Sequence, residues 1–579
     1  MSEVVHQRNG RTQSVCERRS MEFRAVFLLG AMILLFAESS ILRAADHAPK
    51  SAYNPGIHPM TPVDLGAEKD AENAWFAHLG VLASDALKGR RTGTPEFLQA
   101  VEYVEMQFRA IGLQPAGVEG YRQPVSFRRV SVDAEHSTLD LIRTDGSAQS
   151  LKVGSDVTLG PNSDGATAVE APAVFTGYGL VVPELGIDDL KGIDLRGKIA
   201  VILGGSPEAV HGPLKAYFRT SAIRWQALKA AGAVGLIMIV EPRQPSGGPP
   251  RISGAPNASQ HPIDQLADPA LNLLSGARIN ASVPPASAGS LFVGAPHTYD
   301  ELHELAKLGR PLPAFTLAVT VRATTTTQVV STFQAPNVVG LLEGVDPALK
   351  HEYFLLSAHL DHLGVGVPVD GDSICNGAMD NGAGVASLIE VAKSLAKGPR
   401  PKRSIVFLAF TGEEEGELGS QFYARYPTVP RSHIVASLNM DMYLPLFPLR
   451  FLEVQGLGES TLGNDARAAA QLNDIEVQFD KQPDENRFIR SDQASFVKYG
   501  IPALGFKFGW LPDTPEQKTF NDWIRNRYHH PNDDLNQPID RGAAVHFDRV
   551  LLTLVTRVAN APTKPFWYPE SFFSTIPRR

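Results

Sequence analysis

The feature that most constrains the fold is an alternation of strand-like and helix-like segments between residues 336 and 561. Apolar runs such as "SIVFLAF" (404–410) are predicted to be buried strands, and "GVASLIEVAKSLAK" (384–397) has the apolar spacing of a helix. Strands that alternate with helices indicate an α/β domain. Its central sheet is expected to be mostly parallel and flanked by helices on both faces.

The chain before residue 336 has two kinds of pattern. A helical pattern begins at Ala74, and "PEFLQAVEYVEMQFRAIGL" is predicted to be an amphipathic helix that Gly112 ends. The chain alternates like strands from about residue 128 to residue 170, and residues 166–327 contain further strand and turn signals. Residues 243–290 are rich in Pro, Gly, Ser and Ala and are predicted to be a loop.

The N-terminal segment resembles a targeting signal. Arg24 precedes an apolar block from Ala25 to Ala37, and small residues follow at Ala44 and Ala45. This arrangement is typical of a secretory signal peptide, and the block is short for a membrane span. We therefore expect an exported protein, periplasmic or extracellular, that has no stable membrane association once the signal is removed. An uncleaved membrane anchor is the alternative.

The charge balance argues against a nucleic-acid partner. The 54 Lys and Arg residues are outnumbered by 62 Asp and Glu residues, which gives a net charge of −8. Nucleic-acid-binding proteins usually have a surplus of basic residues, and no run of Lys or Arg marks a basic patch here. We expect a soluble globular protein that acts on another class of partner.

Residues of the kinds that bind metal ions follow several of the predicted strands. Because chemistry collects at the carboxyl ends of strands in such sheets, these residues are expected to lie together. The candidates are His359 and Asp361 in "AHLDHLG", Asp380 in "GAMDNGAG", the triplet Glu413–Glu415, Asp441 in "NMDM", and His529 or His530 in "RYHHPNDD".

The combination of imidazoles and carboxylates indicates zinc rather than calcium, which takes oxygen ligands alone. Two ions need a shared carboxylate, and Asp380, which precedes a flexible turn, is placed to bridge them. One ion is expected to take His359 and Asp441, and the other Glu414 and a terminal His.

These motifs resemble the zinc aminopeptidase and glutamate carboxypeptidase family, metallopeptidase family 28, whose phosphorylase/hydrolase-like fold is a helix-flanked α/β sheet. The resemblance is carried by "AHLDHLG", "GAMDNGAGVASLIEVA", "FTGEEEGELGS", "NMDM", "SDQASFVKYGIPA" and "YHHPNDDL". The segment "GYG…DLRGKIAVILGG…KAAGAVGLIMI" resembles a protease-associated (PA) domain inserted into the peptidase.

The resemblance implies a role for each site residue. The metal ligands are His359, Asp380, Glu414, Asp441 and His529, which bind two Zn²⁺ ions. Glu413 is the general base, Asp361 is a catalytic residue that orients His359, and Asp492 and Gln493 bind substrate. Many relatives have His where this chain has Gln493, which weakens any inference about specificity.

The expected domain organisation follows from the signal, the resemblance and the composition. Its parts are a leader and signal peptide (1–45), a linker (46–73), a first peptidase segment (74–165), an inserted β-rich protease-associated domain (166–327), a second peptidase segment (328–562) and a C-terminal tail (563–579).

The expected activity is that of a zinc-dependent exopeptidase, an aminopeptidase that removes N-terminal residues from peptides. Metal-activated water attacks the peptide bond, and Glu413 accepts the proton. A carboxypeptidase of the same fold is an alternative, since Arg487 and Arg490 could bind a C-terminal carboxylate. A glutaminyl cyclase, a non-catalytic binding scaffold and the related dipeptidase and deacylase family fit the complete ligand set or its sequence context less well.

Overall fold

The computed structural model describes residues 68–162, 167–210, 212–218, 220–240, 262–485 and 487–578. The predicted leader and signal peptide (1–45) and most of the predicted linker (46–73) lie outside these residues. The first described helix, Glu68–Leu82, begins before Ala74, where its apolar pattern becomes visible in the sequence. Glu68 and Asp70 lie in its first turn, where acidic side chains favour a helix start.

A nine-stranded sheet forms the centre of the predicted peptidase part and confirms the predicted α/β class. Its middle strands Ser404–Phe410, Tyr353–His359, Ile434–Asn439 and Ala503–Phe508 are parallel. Antiparallel pairing adds Asn337–Leu342 on one side and Phe451–Gln455 on the other. Asn337–Leu342 also pairs antiparallel with Gln114–Pro115 and Arg122–Gln123, and Phe451–Gln455 pairs parallel with Glu476–Gln478. Every residue of Ser404–Phe410 is buried, as expected of a strand covered on both faces.

Helices cover this sheet and are bounded by local capping signals. Helix Pro95–Ile111, for example, begins where the Thr94 side chain accepts the amide of Phe97, and it ends at Gly112 in the left-handed conformation. The α-helices of the described residues are Glu68–Leu82, Pro95–Ile111, Gly212–Phe218, Ser221–Ala230, Pro285–Ala288, Tyr299–Lys307, Ala383–Lys397, Leu418–Arg425, Leu462–Gln471, Gln493–Val497, Pro515–Asn526 and Arg541–Asn560.

A second, eight-stranded sheet has an apolar core of its own, built around residues such as Phe175, Val201 and Phe292. Its strands, in sheet order, are Ala148–Leu151, Thr138–Arg143, Ala314–Thr325, Thr167–Thr176, Ile199–Leu203, Gly235–Ile239, Asn280–Val283 and Thr158–Leu159.

Two sequence-based expectations about this second sheet are wrong. It includes strands from residues 138–159, which precede the predicted domain boundary at 166, because period-two alternation does not reveal which sheet a strand joins. The predicted loop 243–290 contains strand Asn280–Val283, which pairs with Gly235–Ile239. The strand has only two apolar residues, Ala281 and Val283, and Pro and Ser follow it closely in the sequence.

The described residues also form three smaller sheets. A three-stranded sheet consists of Ile263–Leu266, Ser126–Val132 and Thr327–Gln334, and two-stranded ribbons consist of Gly364–Val369 with Asp372–Cys375 and Val181–Val182 with Ile187–Asp188. In the ion pair Arg129–Asp264 of the three-stranded sheet, the Asp264 side chain is fully buried. This sheet therefore joins segment 263–266 to strand Ser126–Val132.

Candidate metal centre and active site

The candidate ligands occupy one edge of the central sheet. His359 is the last residue of strand Tyr353–His359, and Glu413 and Glu414 follow strand Ser404–Phe410. Asp441 follows strand Ile434–Asn439, and Asp380 precedes helix Ala383–Lys397. Parallel strands end at the same edge, so segments distant in the sequence deliver their side chains to one place.

Asp380 lies at the centre of this cluster and faces two sets of side chains. Its Oδ1 atom is 3.2 Å from His359 Nε2, and that nitrogen is 3.3 Å from Asp441 Oδ1. Its Oδ2 atom is 3.3 Å from His529 Nε2. The amide of Asn381 donates to the carbonyl of Met440, which ties this loop to the segment that carries Asp441. A carboxylate so placed can serve two neighbouring cations.

Glu414 lies between two imidazoles. Its Oε2 atom is 3.1 Å from His529 Nε2, and its Oε1 atom is 2.6 Å from His362 Nδ1. Burial and the charge of Asp380 raise the pKa of Glu414, but His529 and His362 outweigh them and lower it to about 2. Glu414 is therefore ionised at neutral pH.

The electrostatics of the cluster are those of a cation site. Burial lowers the pKa of His359, but Glu413, Asp380 and Asp441 outweigh it and raise that pKa well above its usual value. Several carboxylates this close to one another repel unless positive charge joins them. Candidate ligand atoms of His359, Asp380 and Asp441 all lie within 4.8 Å of one another. Imidazole nitrogens with carboxylate oxygens form a donor set that fits zinc.

Glu413 stands on the His359 side of the cluster. Three candidate ligand atoms lie within 4.8 Å of one another, one from each of His359, Glu413 and Glu414. Burial raises the pKa of Glu413 well above its usual value, and the charges of Asp441 and Glu414 raise it further against the opposing effect of His359. Its carboxylate thus has a strong tendency to take up a proton.

Asp361 contacts this site differently from the expected way. The Nδ1 atom of His359 is 3.1 Å from the backbone carbonyl of Asp361, whereas the nearest carboxylate oxygen is 4.0 Å away. The carboxylate instead accepts the backbone amides of Glu413 at 3.1 Å and Glu414 at 3.3 Å. Asp361 therefore positions the glutamates with its side chain and His359 with its backbone.

Glu415 and His530, which neighbour predicted site residues in the sequence, have different surroundings. Glu415 pairs with Arg91, with Oε1 and Nη2 2.8 Å apart. His529 is the imidazole that contacts Asp380 and Glu414. Desolvation lowers the pKa of its neighbour His530, and the charge of His529 lowers that pKa further.

The two predicted substrate-binding residues are both buried. Burial raises the pKa of Asp492 to about 8, and the charge of Asp492 acts on Glu413. The amide of Gln493 accepts from Asn439 Nδ2 at 2.9 Å and donates to the carbonyls of Arg487 and Phe488 at 3.2 and 3.0 Å. Gln493 thus joins segment 487–488 to the strand that leads to Asp441.

Several residues that support the site were not predicted from the sequence. His362 lies three positions after His359, and its presence in "AHLDHLG" is the only signal that could have identified it. Asp533 accepts the backbone amides of Met379 and Asp380 at 2.9 and 3.0 Å. The ammonium group of the buried Lys507 donates to the carbonyl of Met442 at 3.1 Å.

Arg90 is the largest of these unpredicted supports. Its fully buried guanidinium donates to the backbone carbonyls of residues on both sides of the site, which are Leu82, Leu360, Asn376, Gly377 and Asp380. It thereby joins the loop after His359 to the loop that carries Asp380.

Comparison with protein families agrees with the motif-based expectation. Residues 337–555 match the family model described as peptidase family M28, so the predicted family is confirmed for this segment. The protease-associated character of the inserted part stays a prediction.

Curated relatives match over short segments. A "Probable zinc metalloprotease" of Pyrenophora teres f. teres is 36% identical over 105 residues, which is 18% of this chain and 22% of the relative. A "Vacuolar membrane protease" of Tuber melanosporum is 32% identical over 111 residues, which is 18% of this chain and 10% of the relative. The chain thus spans less than a quarter of the length of either relative.

Two solved structures cover far more of the chain at low identity. An aminopeptidase from Aneurinibacillus sp. strain AM-1 is 20% identical, with a TM-score of 0.46, and the match covers 90% of this chain and 98% of that one. A zinc aminopeptidase from Bacillus subtilis is 19% identical, with a TM-score of 0.42, and the match covers 85% of this chain and 95% of that one.

The predicted periplasmic or extracellular location is wrong by these comparisons. Curated relatives from Tuber melanosporum, Candida tropicalis and Ajellomyces dermatitidis are named vacuolar membrane proteases. An apolar N-terminal block indicates passage to a membrane and does not specify the final compartment. Among the described residues, no helix has the length and apolar character that crossing a membrane requires.

Proposed function

We propose that this chain, whose residues 337–555 belong to peptidase family M28, is a two-zinc aminopeptidase that removes residues from the N-termini of peptides. The observation that carries the proposal is the position of Asp380. One of its oxygens faces His359 and the other faces His529, so a single carboxylate adjoins both halves of the ligand set.

Each half has its own ligands besides Asp380. His359 and Asp441 would hold one zinc ion, and Glu414 and His529 would hold the other. His362, which contacts Glu414 from the opposite side, keeps that carboxylate in place. Bound zinc supplies Lewis acidity, which polarises a peptide carbonyl and lowers the pKa of water towards neutrality.

Glu413 is assigned the proton transfers. Its carboxylate adjoins both His359 and Glu414, each of which belongs to one half of the proposed ligand set. A general base must lie within hydrogen-bond reach of the proton that it takes, and its raised proton affinity favours the uptake. Asp361 contributes by fixing the backbone amides of Glu413 and Glu414.

The surroundings favour a substrate with a free amino terminus. Acidic residues adjoin the catalytic centre, where the charge of Asp441 acts on both Glu413 and Glu417. A substrate ammonium group is stabilised among such carboxylates. No nucleic acid is expected as a partner, since this field repels phosphates.

A carboxypeptidase activity is the second candidate, and Arg490 is the observation in its favour. The charge of Arg490 acts on Tyr528 and Glu417, both beside the catalytic centre. Its Nη1 atom already donates to the carbonyl of Glu485 at 3.1 Å, and Arg487 Nη2 donates to Gln482 at 2.7 Å. Both guanidinium groups are thus partly engaged within the protein.

The test is mass spectrometry of matched peptides with free and acetylated N-termini, incubated with the zinc-loaded protein. Stepwise loss of N-terminal residues from the free peptides alone is the expected result, and Glu413→Gln is the inactive control. Trimming from the carboxyl end would replace the proposal with the carboxypeptidase. Loss of only ammonia or water from peptides that begin with Gln or Glu would indicate a cyclase, and no change would leave a zinc-binding scaffold.

A further inference from the structure

Two aromatic rings are shared between the core of the second sheet and the peptidase part. Tyr217, at the end of helix Gly212–Phe218, and Phe572, in the C-terminal tail, both pack against the core that contains Phe175 and Phe292. The same two rings also pack against a peptidase cluster that contains Phe488 and Phe573. Their mutual contact is close, with ring centroids 5.1 Å apart at 62°. Both rings therefore contribute to both cores.

The tail that carries Phe572 is fixed to the peptidase part. The indole of Trp567 donates to the carbonyl of Gly500 at 3.0 Å, and the hydroxyl of Ser571 donates to Glu459 at 2.6 Å. The Phe572 ring then reaches Phe218 of the second sheet's helix, with centroids 5.4 Å apart. The tail thus holds one end of the contact on the peptidase and places the other against the inserted part.

From Phe572 the ring contacts continue to the wall of the catalytic centre. Phe572 contacts Phe573, and Phe573 contacts Phe488, each pair with centroids 5.4 Å apart. Phe488 belongs to residues 487–493, here called the wall segment, which Gln493 fastens to Asn439. The wall segment also contains Arg490, whose charge acts on Tyr528 beside the ligand His529.

We propose that Phe572 is a positioning residue that couples the inserted part to the wall segment and thereby sets the affinity for peptide. This inference rests on the proposed peptidase function for its kinetic consequence. Its structural consequence, the ordering of the wall segment, does not depend on any activity. Side chains are close-packed in such clusters, so removing one ring leaves its neighbours free to shift.

The test compares Phe572→Ala with Phe566→Ala in the full-length, zinc-loaded protein. Phe566 is a matched control because it is a phenylalanine of the same tail, is 46% exposed, and lies outside the shared cluster. Hydrogen exchange of residues 487–497 is measured without substrate. Faster exchange in Phe572→Ala than in Phe566→Ala is expected, and Phe572→Tyr, which keeps the ring, should restore the slow rate.

Kinetics on a peptide provide the second measurement. The KM of Phe572→Ala is expected to rise about three- to thirtyfold, with kcat unchanged, as for other residues that act through a coupled contact. A general loss of stability would lower kcat and zinc content as well. If Phe572→Ala fails to fold, Phe572→Leu and Tyr217→Ala, which weaken the contact from either side, should give the same changes.

Equal exchange of residues 487–497 in Phe572→Ala and Phe566→Ala would overturn the proposal. So would an unchanged KM in a variant that retains wild-type zinc content and cleaves peptides. Should the wild-type protein cleave no peptide, the proposed function fails, and the exchange rates alone then decide whether Phe572 positions the wall segment.

Discussion

Replacing Arg90 by Lys tests how much the candidate metal centre depends on a residue outside the proposed ligand set. All five N–H groups of the buried guanidinium donate to backbone carbonyls, including those of Leu360 and Asp380. In the wild-type protein, the negative charges of Asp380 and Asp533 favour the charged form of Arg90 and oppose the cost of its burial. Arg90→Lys keeps a positive charge beside these two carboxylates. It therefore changes the number and direction of the hydrogen bonds and leaves the charge in place.

The expected destabilisation follows from the donors that are lost. An ammonium group has three donors, so at least two of the five carbonyls lose their partner. At about 1.5–3 kcal/mol for each hydrogen bond to a charged group, the free energy of unfolding should fall by roughly 3–6 kcal/mol. Urea unfolding followed by circular dichroism measures this change, and metal analysis should show a parallel loss of zinc.

The matched control is the neighbouring substitution Arg91→Lys. The Arg91 side chain is 37% exposed and pairs with Glu415, an arrangement that lysine can keep and that is worth at most about 1 kcal/mol. Arg91→Lys should therefore behave as wild type. If Arg90→Lys loses no more stability than Arg91→Lys, the view that this guanidinium holds the two metal-binding loops together is refuted.

Three further substitutions or treatments test the site and the core. Glu413→Gln keeps the shape of the side chain but cannot take a proton, so kcat should fall about 10²–10⁴-fold with zinc content unchanged, as steady-state assays and metal analysis will show. Chelation of zinc should lower the thermal midpoint of unfolding, because carboxylates such as Asp380 and Glu414 repel one another without the ion, and added zinc should restore it. An identical midpoint with and without chelator would contradict this. Burial raises the pKa of Asp548 well above 3.8, so the folded state keeps a proton that the unfolded chain releases, and stability is lost as pH rises. Asp548→Asn removes that loss, and its unfolding free energy relative to wild type should increase as the pH rises above about 4.

The central sheet could be predicted because its strands are locally explicit. Ser404–Phe410 is a continuous apolar run in the sequence and is buried throughout in the structure. Helix Pro95–Ile111 likewise has its start signal, Thr94, and its stop signal, Gly112, directly next to it in the sequence. The extent of the second sheet was less accessible, since strand Thr138–Arg143 pairs with Ala314–Thr325, far away in the sequence. Alternation identifies a strand, whereas its partner depends on the tertiary fold.

The candidate metal ligands could be predicted for a related reason, whereas the residues that support them could not. His359, Asp380 and Asp441 follow recognisable strands or precede a helix, so the edge of the sheet collects them. Arg90 acts through backbone carbonyls up to 290 positions away, and carbonyls carry no sequence signature. The same holds for Asp533, which accepts the amides of Met379 and Asp380. Contacts between a side chain and a distant backbone leave no local pattern to detect.

The three consecutive glutamates illustrate how the fold assigns different chemistry to identical residues. Burial raises the pKa of both Glu413 and Glu415, and the surroundings then separate them. Glu413 faces other carboxylates and favours a proton, whereas Glu415 pairs with Arg91 away from the centre. Glu414, between two imidazoles, is the one whose pKa falls to about 2. Asp361 follows the neighbouring strand and accepts the amides of Glu413 and Glu414, so a single carboxylate fixes the backbone path that places Glu413 near His359 and Glu414 between His362 and His529. Exchanging these two roles would require a different backbone path after Phe410 and not merely a different residue.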